Sequence, residues 1–155
     1  NMYNTLLSLS RNIFFYKNVK LKDSYETRIY LMFVHFSILM IISKKKGFIF
    51  DQKTYDNLFN FIENDLRELG FGDIAVNKKM KNLNKILYDL LLKLEVKGSN
   101  EFELNKKLLL KYFIELNIDK NDKYLEFSKY FINFYHFCFE LQHENMITKA
   151  INFKY

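Results

Sequence analysis

The chain has no proline and no tryptophan, four glycines and a single cysteine in 155 residues. Folds built from many short strands need glycine and proline at their turns, so this scarcity argues against an all-β fold. The lone Cys138 excludes an internal disulfide and a zinc site with several cysteine ligands, as is typical of a reducing compartment. Hydrophobic residues make up 49% of the chain. We predict an all-α fold in a single bundle-like domain, 1–155, because a chain of this length can bury a core of its own.

Apolar residues recur at helical spacing along most of the chain and predict about six helices. The second helix is expected to start at a cap supplied by Asp23 or Ser24. A Gly98-Ser99-Asn100 turn separates the fourth helix from the fifth. No signal or transit peptide is expected, because the chain passes from Met2 directly into the first helix. The predicted ranges are 3–16, 24–43, 55–69, 76–94, 101–116 and about 122–150.

The segment 29–42 is the most apolar part of the chain and is interrupted only by His35 and Ser37. A membrane span needs roughly 20 apolar residues, so this stretch is too short for one. We predict a buried central helix; the alternative is a helix that lies on a membrane, anchored by lysines 44–46. His35 is expected to be a core histidine bonded to a neighbour. Both His35 and Arg28 should be largely enclosed with polar partners, because an unpaired buried charge is costly.

The last predicted helix carries aromatic residues on nearly every side. A helix of this kind is either central in the fold or covered by another protein, and we favour the central position. Its aromatic residues are Tyr124, Phe127, Tyr130, Phe131, Phe134, Tyr135, Phe137 and Phe139.

Positive charge is concentrated in the first third of the chain. Residues 1–50 hold eight Lys or Arg against two acids, and their net charge of +6 equals that of the whole chain. Further along, 51–73 has a net charge of −4 and 74–97 a net charge of +4. Such blocks usually mark solvated helix faces. The alternative function is an RNA- or ribosome-docking module that uses this basic third, which would also attract anionic lipid. Its lysines are Lys17, Lys20, Lys22, Lys44, Lys45 and Lys46.

Side chains that could support catalysis are few. Glu140 and His143 have the Glu-x-x-His spacing of half a di-iron carboxylate site, but the second such pair is missing from the sequence. Cys138 and His136 lie two apart on a predicted helix and therefore face different ways, which argues against a nucleophile and its base. We predict that the protein is not an enzyme and that it has no metal and no cofactor.

Two of the four glycines, Gly70 and Gly72, lie two residues apart between an acidic and a basic helix. Gly70 can take the left-handed conformation that ends a helix, with Phe71 packing back on Leu66. Asp73 is placed to cap the next helix with its carboxylate. The segment predicts a tight corner between two helices, followed by Lys78, Lys79 and Lys81.

This corner resembles the ubiquinol-cytochrome c chaperone family, whose members have a helix ending in Leu-Arg-Glu, a Gly-x-Gly-Asp turn and a hydrophobic-x-Val-x-Lys-Lys segment. Upstream, the family has an Arg, an aromatic-Tyr pair, an Asp-Thr-like step, an Arg and a His. The resemblance covers about 3–94, with no motif beyond Glu95. The chain departs from the family pattern at 19–22, where Gly and Pro are usual, and at Tyr88-Asp89, where Tyr-Gly-Arg is common. The matching residues are Arg11, Phe15, Tyr16, Asp23, Ser24, Arg28, His35, Leu66, Arg67, Glu68, Gly70, Gly72, Asp73, Val76, Lys78 and Lys79.

The resemblance implies a non-enzymatic chaperone that binds newly synthesised cytochrome b during assembly of the respiratory ubiquinol-cytochrome c reductase, complex III. Some members work with a small partner chaperone and the ribosome; peripheral membrane contact is compatible with this role, and no specific nucleic acid is expected. The implied location is the bacterial cytoplasm, at the cytoplasmic face of the inner membrane, or the mitochondrial matrix side in an organelle.

The resemblance also supplies candidate binding residues for the client or partner. For Arg67 and Asp73, bracing of the corner is an equally good interpretation. The candidates are Arg11, Tyr16, Asp23, Arg28, His35, Arg67, Glu68, Gly70, Gly72, Asp73, Lys78, Lys79 and Lys81.

Overall fold

The computed structural model describes residues 1–118 and 123–155. Across these ranges the secondary structure is helical apart from an isolated antiparallel bridge between Glu95 and Leu104. The prediction of an all-α fold is confirmed. The helices are α1 (Met2–Ser10), α2 (Ile13–Lys17), α3 (Tyr25–Lys45), α4 (Gln52–Glu68), α5 (Asp73–Lys93), α6 (Lys106–Tyr112), α7 (Glu115–Ile118), α8 (Lys123–Phe139) and α9 (His143–Ala150).

The first and last predicted helices are each divided in two. The first breaks at Asn12, whose side-chain oxygen accepts a hydrogen bond from the Phe14 amide at 3.0 Å and so caps α2. Asparagine competes for backbone amides in this way, and a periodic apolar pattern does not reveal it. The last predicted helix ends at Phe139 and a new one begins at His143. Its predicted start near Asp122 lies outside the described residues.

The fifth predicted helix, 101–116, starts later than expected. Before the helix begins, Leu104 forms the antiparallel bridge with Glu95, just after α5, and the Val96 amide donates to the Glu103 carbonyl at 2.8 Å. Asn105 then caps α6 by accepting from the Leu108 amide at 3.2 Å. In place of one continuous helix, the segment forms the two short helices α6 and α7.

The long helix α3 lies at the centre of the fold, as predicted. Every residue from 31 to 39 is buried, and α3 packs against α1, α5, α8 and α9. Ser24 is its cap, accepting from the Thr27 amide at 3.2 Å. At 21 residues, α3 exceeds the apolar stretch and by length and composition alone could cross a membrane, but 72% of its most apolar window is buried within the fold.

The aromatic helix α8 is the main partner of α3 on one side. Phe127, Tyr130, Phe131 and Phe134 are all buried, which confirms its central position. On the other side of the fold, α1 and α5 pack against α3, and α4 packs against both α1 and α5. This second group of helices contains the corner and the grooves beside it.

Candidate functional site

The corner between α4 and α5 has the helix stop that its glycines predict. Gly70 has a φ of +96°. Its amide donates to the Arg67 carbonyl at 3.0 Å, and the Phe71 amide donates to the Leu66 carbonyl at 3.3 Å, which together make a Schellman motif. No described atom lies within 4 Å of where a Cβ at Gly70 would be. The need for glycine there comes from backbone conformation and not from crowding.

Asp73 does not cap α5, contrary to the prediction. The cap position is Gly72, and Asp73 is the first residue of the helix, so its own backbone is already helical. Its carboxylate instead accepts a hydrogen bond from the Arg67 guanidinium across the corner. This bond holds the pKa of Arg67 above its ordinary value. Both side chains are exposed, so the pair braces the corner only weakly.

Two adjoining grooves open beside the corner, and we call them together the corner cleft. They share Tyr25, Ile29 and Leu69. The groove on the α5 side has a volume of about 350 Å³ and the groove on the α1 side about 430 Å³. The first is also lined by Glu26, Tyr30, Leu66, Phe71, Lys79, Asn82 and Leu83, and the second by Tyr3, Leu7, Arg11, Arg28, Met32, Ile62, Asp65 and Glu68.

The edge of the corner cleft presents apolar side chains to solvent. Leu69 is 59% exposed, and Ile74, in the first turn of α5, is 88% exposed. Phe71 lies between them in the chain and is 39% exposed. Single exposed apolar residues are normal on a protein surface. Here Leu69 and Phe71 line the cleft and Ile74 follows them in the chain, so the three form an exposed apolar run, which we call the patch, that is suited to a partner.

Charged residues from α3, from α4 and from the end of α1 meet on the α1 side of the cleft. Arg11, Arg28 and Glu68 all line this groove, so the fold brings together three of the predicted binding residues. Asp23 joins them through an ion pair with Arg28 at 2.7 Å. The Arg28 side chain is still 31% exposed. The prediction that it would be largely enclosed was therefore too strong, because the start of α3 lies at the surface.

Tyrosine hydroxyls tie the walls of the cleft together. Tyr3 on α1 donates a hydrogen bond to the Asp65 carboxylate on α4. Tyr25 on α3 donates to the Ile62 carbonyl at 3.5 Å. Burial raises the pKa of both tyrosines, and the neighbouring Asp65 raises them further. Both hydroxyls therefore stay protonated at neutral pH and act as donors, which holds α1, α3 and α4 in register around the groove.

Of the three lysines after the corner, Lys79 lines the cleft. Its amine lies 4.6 Å from the centre of the Phe71 ring, in cation–π contact. Lys78 and Lys81 are exposed on α5 and do not line either groove. The positive charge next to the apolar patch therefore comes from the Lys79 amine, which contacts Phe71, and from Lys78 and Lys81 on the same helix.

His35 and Tyr16, also predicted as binding residues, do not line either groove. His35 is fully buried: its Nδ1–H donates to the Leu31 carbonyl at 2.7 Å, and its Nε2 accepts from the Tyr130 hydroxyl at 2.8 Å. Burial lowers the pKa of His35 to about 3, so the ring is neutral and part of the core. Tyr16 is half-buried and donates to the Ser10 carbonyl at 2.9 Å. It lies close enough to Arg28, Asp23 and Arg11 to interact with their charges.

The possible chemical groups of the C-terminal helices do not assemble into a site. Across 1–118 and 123–155, no group of three or more His, Cys, Asp and Glu side chains could hold a metal ion. Cys138 is buried, and burial raises the pKa of its thiol to about 12, so it is not a thiolate at neutral pH. His143 stacks on Phe48 with ring centres 3.7 Å apart.

The basic residues of the N-terminal third come from separate elements. Lys17 ends α2, Lys20 and Lys22 lie in the segment before α3, and Lys44, Lys45 and Lys46 lie at the end of α3. The Lys45 amine is paired with Glu95, and the Lys46 amine donates to the Leu141 carbonyl at 2.7 Å. Two of these lysines therefore already have polar partners within the fold.

Most residues that line the cleft were not identified as site residues from the sequence, among them Tyr3, Tyr25, Asp65 and Leu69. Leu69 lies within the motif, next to Gly70, but the sequence does not show that its side chain is exposed. The bond between Tyr3 and Asp65 joins residues 62 apart in the chain. Only the packing of α1 against α4 reveals such a contact.

A family model described as ubiquinol-cytochrome C chaperone matches residues 17–112. The match includes the corner and the α3, α4 and α5 walls of the cleft. It begins after Arg11 and Tyr16 and continues past Leu94, so it lies further along the chain than the resemblance seen in the sequence. Searches of curated proteins and of solved structures each found no match. Because the model covers more than half of the residues, the chain belongs to the ubiquinol-cytochrome c chaperone family, whose role is in complex III assembly.

Proposed function

We propose that the protein binds newly made cytochrome b at the corner cleft and holds it, without catalysis, until it is incorporated into complex III. The observation that carries this proposal is the apolar patch of Leu69, Phe71 and Ile74 beside the cleft, inside the segment that matches the family. A client with membrane-spanning helices exposes large apolar surfaces before insertion, and an apolar groove offers those surfaces a place to bury.

The charges around the cleft limit what binds there. Arg11 and Arg28 lie on the α1 side with Glu68, and Lys79 lies on the α5 side with Glu26. Groups of both signs at a rim favour one orientation of the bound segment and disfavour unrelated apolar chains, since a mismatched charge is costly to desolvate. We therefore propose that the apolar residues provide the affinity for the client and that the charged residues set its orientation.

The proposed place of action depends on the client. Cytochrome b is a membrane protein, so the chaperone would work at the cytoplasmic face of the inner membrane, or on the matrix side in an organelle. A small partner chaperone and the ribosome are proposed as further contacts, because some family members use them.

The test is a pair of double variants with the same chemical change. Leu69→Ser with Ile74→Ser alters the patch, while Leu92→Ser with Leu125→Ser alters residues that are 69% and 62% exposed and line neither groove of the cleft. We expect the first pair to weaken binding of cytochrome b to the purified protein by about a hundredfold or more, and the second to leave it unchanged, because burial of each side chain contributes roughly 1.5 to 3 kcal/mol. Equal binding with both would contradict the proposal.

The lysines distinguish this function from RNA docking. Replacing Lys78, Lys79 and Lys81 by Ser should reduce cytochrome b association and complex III assembly while RNA binding changes little. An RNA-docking protein would respond instead to loss of Lys17, Lys20, Lys22 and Lys44 to Lys46, with a flatter dependence of RNA binding on salt. Unchanged complex III levels in a strain lacking the protein would rule out the chaperone role.

A further inference from the structure

The loop between α3 and α4 has a fixed shape. Gly47 has a φ of +81°, its amide donates to the Lys44 carbonyl at 3.0 Å, and the Phe48 amide donates to the Ser43 carbonyl at 3.0 Å. This is a second Schellman motif, like that at Gly70. After the turn, the Phe48 ring stacks on His143 of α9 with ring centres 3.7 Å apart, and Ile49 follows it. A loop held by these bonds keeps its shape without a partner.

Apolar side chains occupy the tip of this loop. Ile49 is 99% exposed, the highest value among the exposed large hydrophobic residues of the described chain, and Phe48 is 46% exposed. Phe50 turns back and packs edge-on against Phe36 in the core, with ring centres 5.7 Å apart. The loop is therefore anchored on one side by Phe50 and presents Ile49 to solvent on the other.

Three consecutive lysines form the base of the loop. Lys45 is neutralised by an ion pair with Glu95. The Lys46 amine donates to the Leu141 carbonyl at 2.7 Å, a partner that leaves its positive charge uncompensated. Lys44 is exposed. The nearest acid on the other side of the tip, Asp51, accepts from the Lys53 amide as the cap of α4. The base of the loop is thus net positive.

We propose that this loop, which we call the α3–α4 loop, is a membrane-binding element that inserts Ile49 among the headgroups of an anionic bilayer, with Phe48 held beside it against His143. An exposed apolar tip with amines at its base matches the layered chemistry of that surface, where apolar chains lie beneath negative phosphates. One short loop buries far less than a membrane-spanning helix, so the attachment is reversible. The inference stands on the residues of the loop and does not require cytochrome b to be the client.

The position of the loop is compatible with a working cleft. The loop lies at the start of α4, and the corner lies at its end. Since α4 has 17 residues, the loop and the corner are separated by about 25 Å along that helix. A bilayer contacted by the loop would therefore leave the corner cleft open on the side away from the membrane.

The absence of tryptophan from the chain gives a direct probe. Ile49→Trp places a single tryptophan at the tip, and Leu92→Trp places one at a position on α5 where the native side chain is 69% exposed. With vesicles of phosphatidylglycerol and phosphatidylcholine, we expect the emission of the first variant to shift to shorter wavelength and that of the second to stay unchanged. No shift in the first variant, or equal shifts in both, would overturn the proposal.

Flotation of the same vesicles with the full-length protein measures binding itself. Ile49→Ser should weaken binding about tenfold, the loss of burying one isoleucine, whereas Leu92→Ser should leave it unchanged. Lys44→Ser with Lys46→Ser should weaken binding to the anionic vesicles by a similar factor, and pure phosphatidylcholine vesicles should bind the unaltered protein poorly. Undiminished binding of the Ile49 variant, or no binding of the unaltered protein, would refute the membrane role. Circular dichroism confirms that each variant is folded.

Discussion

His35 and the α4–α5 corner belong to the same pattern of family residues, yet the fold uses them in opposite ways. His35 is fully buried, and its two ring nitrogens are bonded to Leu31 and Tyr130. At the corner, the Arg67–Asp73 pair is exposed, and the apolar residues beside it face solvent. A shared motif therefore does not mark a single site: one part maintains the core, and the other shapes a surface that can bind. Substitutions in each part test that division.

The largest expected effect is the removal of the buried ring. His35→Ala should lower the free energy of unfolding by about 3 to 5 kcal/mol, because it leaves a cavity among Phe15, Phe131 and Phe134 and an unpaired Tyr130 hydroxyl. His136→Ala, at an exposed position of α8, is the control and should change it by less than about 0.5 kcal/mol. The measurement is urea denaturation. Similar losses of unfolding free energy in both variants would mean that the buried His35 ring contributes no more to stability than an exposed histidine.

The same histidine predicts a dependence of stability on pH. Burial lowers the pKa of His35 to about 3, against about 6.5 in the unfolded chain, so the unfolded state takes up a proton first. The stabilising contribution is complete above pH 6.5 and is lost as the pH falls towards 3, by up to about 1.4 kcal/mol per pH unit. Between pH 6.5 and 4.5 we therefore expect a loss of about 2 to 3 kcal/mol.

A double variant isolates that contribution. His35→Leu with Tyr130→Phe removes the titrating ring together with the hydroxyl that it pairs, so no polar group is left unbonded. Its unfolding free energy should fall less than that of the unaltered protein over the same pH range. Parallel curves for the two proteins would show that other groups cause the acid sensitivity.

The two glycines of the corner should respond differently to one substitution. Gly70→Ser forces a residue with a Cβ to a φ of +96° and should destabilise the protein by about 1 to 2 kcal/mol. Gly72→Ser places serine at a cap position with ordinary backbone angles and should be neutral or stabilising by a few tenths of a kcal/mol. Thermal unfolding of both variants decides this. An equal cost at the two positions would contradict the assigned helix stop.

Much of the fold depends on local signals in the sequence. The apolar run 29–42 predicted the central helix, and Gly70 predicted the corner, because both depend on neighbours within a few residues. The breaks at Asn12 and before α6 were missed. A capping asparagine or a two-residue bridge differs only slightly in free energy from a continuous helix, so the apolar pattern does not reveal it. For Asp73 the sequence suggested both a cap of α5 and a bracing contact with Arg67 at the corner; the structure has the ion pair with Arg67 and no side-chain cap.

The cleft could not be predicted, because it depends on contacts between distant segments. Its walls come from α1, α3, α4 and α5, and the bond from Tyr3 to Asp65 is one of several that set their spacing. One departure from the family pattern is explained only by the structure. In the segment 19–22, where the family usually has glycine, Lys20 has a left-handed backbone with a φ of +65°. That position is strained by its side chain.

The smallest expected effect concerns this position. Lys20→Gly should stabilise the protein by up to about 1 kcal/mol relative to Lys20→Ala, because only glycine accepts the left-handed backbone without cost. The alanine variant removes the same charge and serves as the control. Thermal unfolding measures both, and a more stable alanine variant would show that the loop is not strained.

The central claim is that the corner cleft holds cytochrome b, and site-specific photo-crosslinking in the native host tests it most directly. A photoreactive residue is placed at Leu69, on the edge of the cleft, or at Leu92, which is similarly exposed outside it. We predict a crosslinked product containing cytochrome b from position 69 and little or none from position 92. Cytochrome b crosslinked equally from both positions, or only from position 92, would contradict the account.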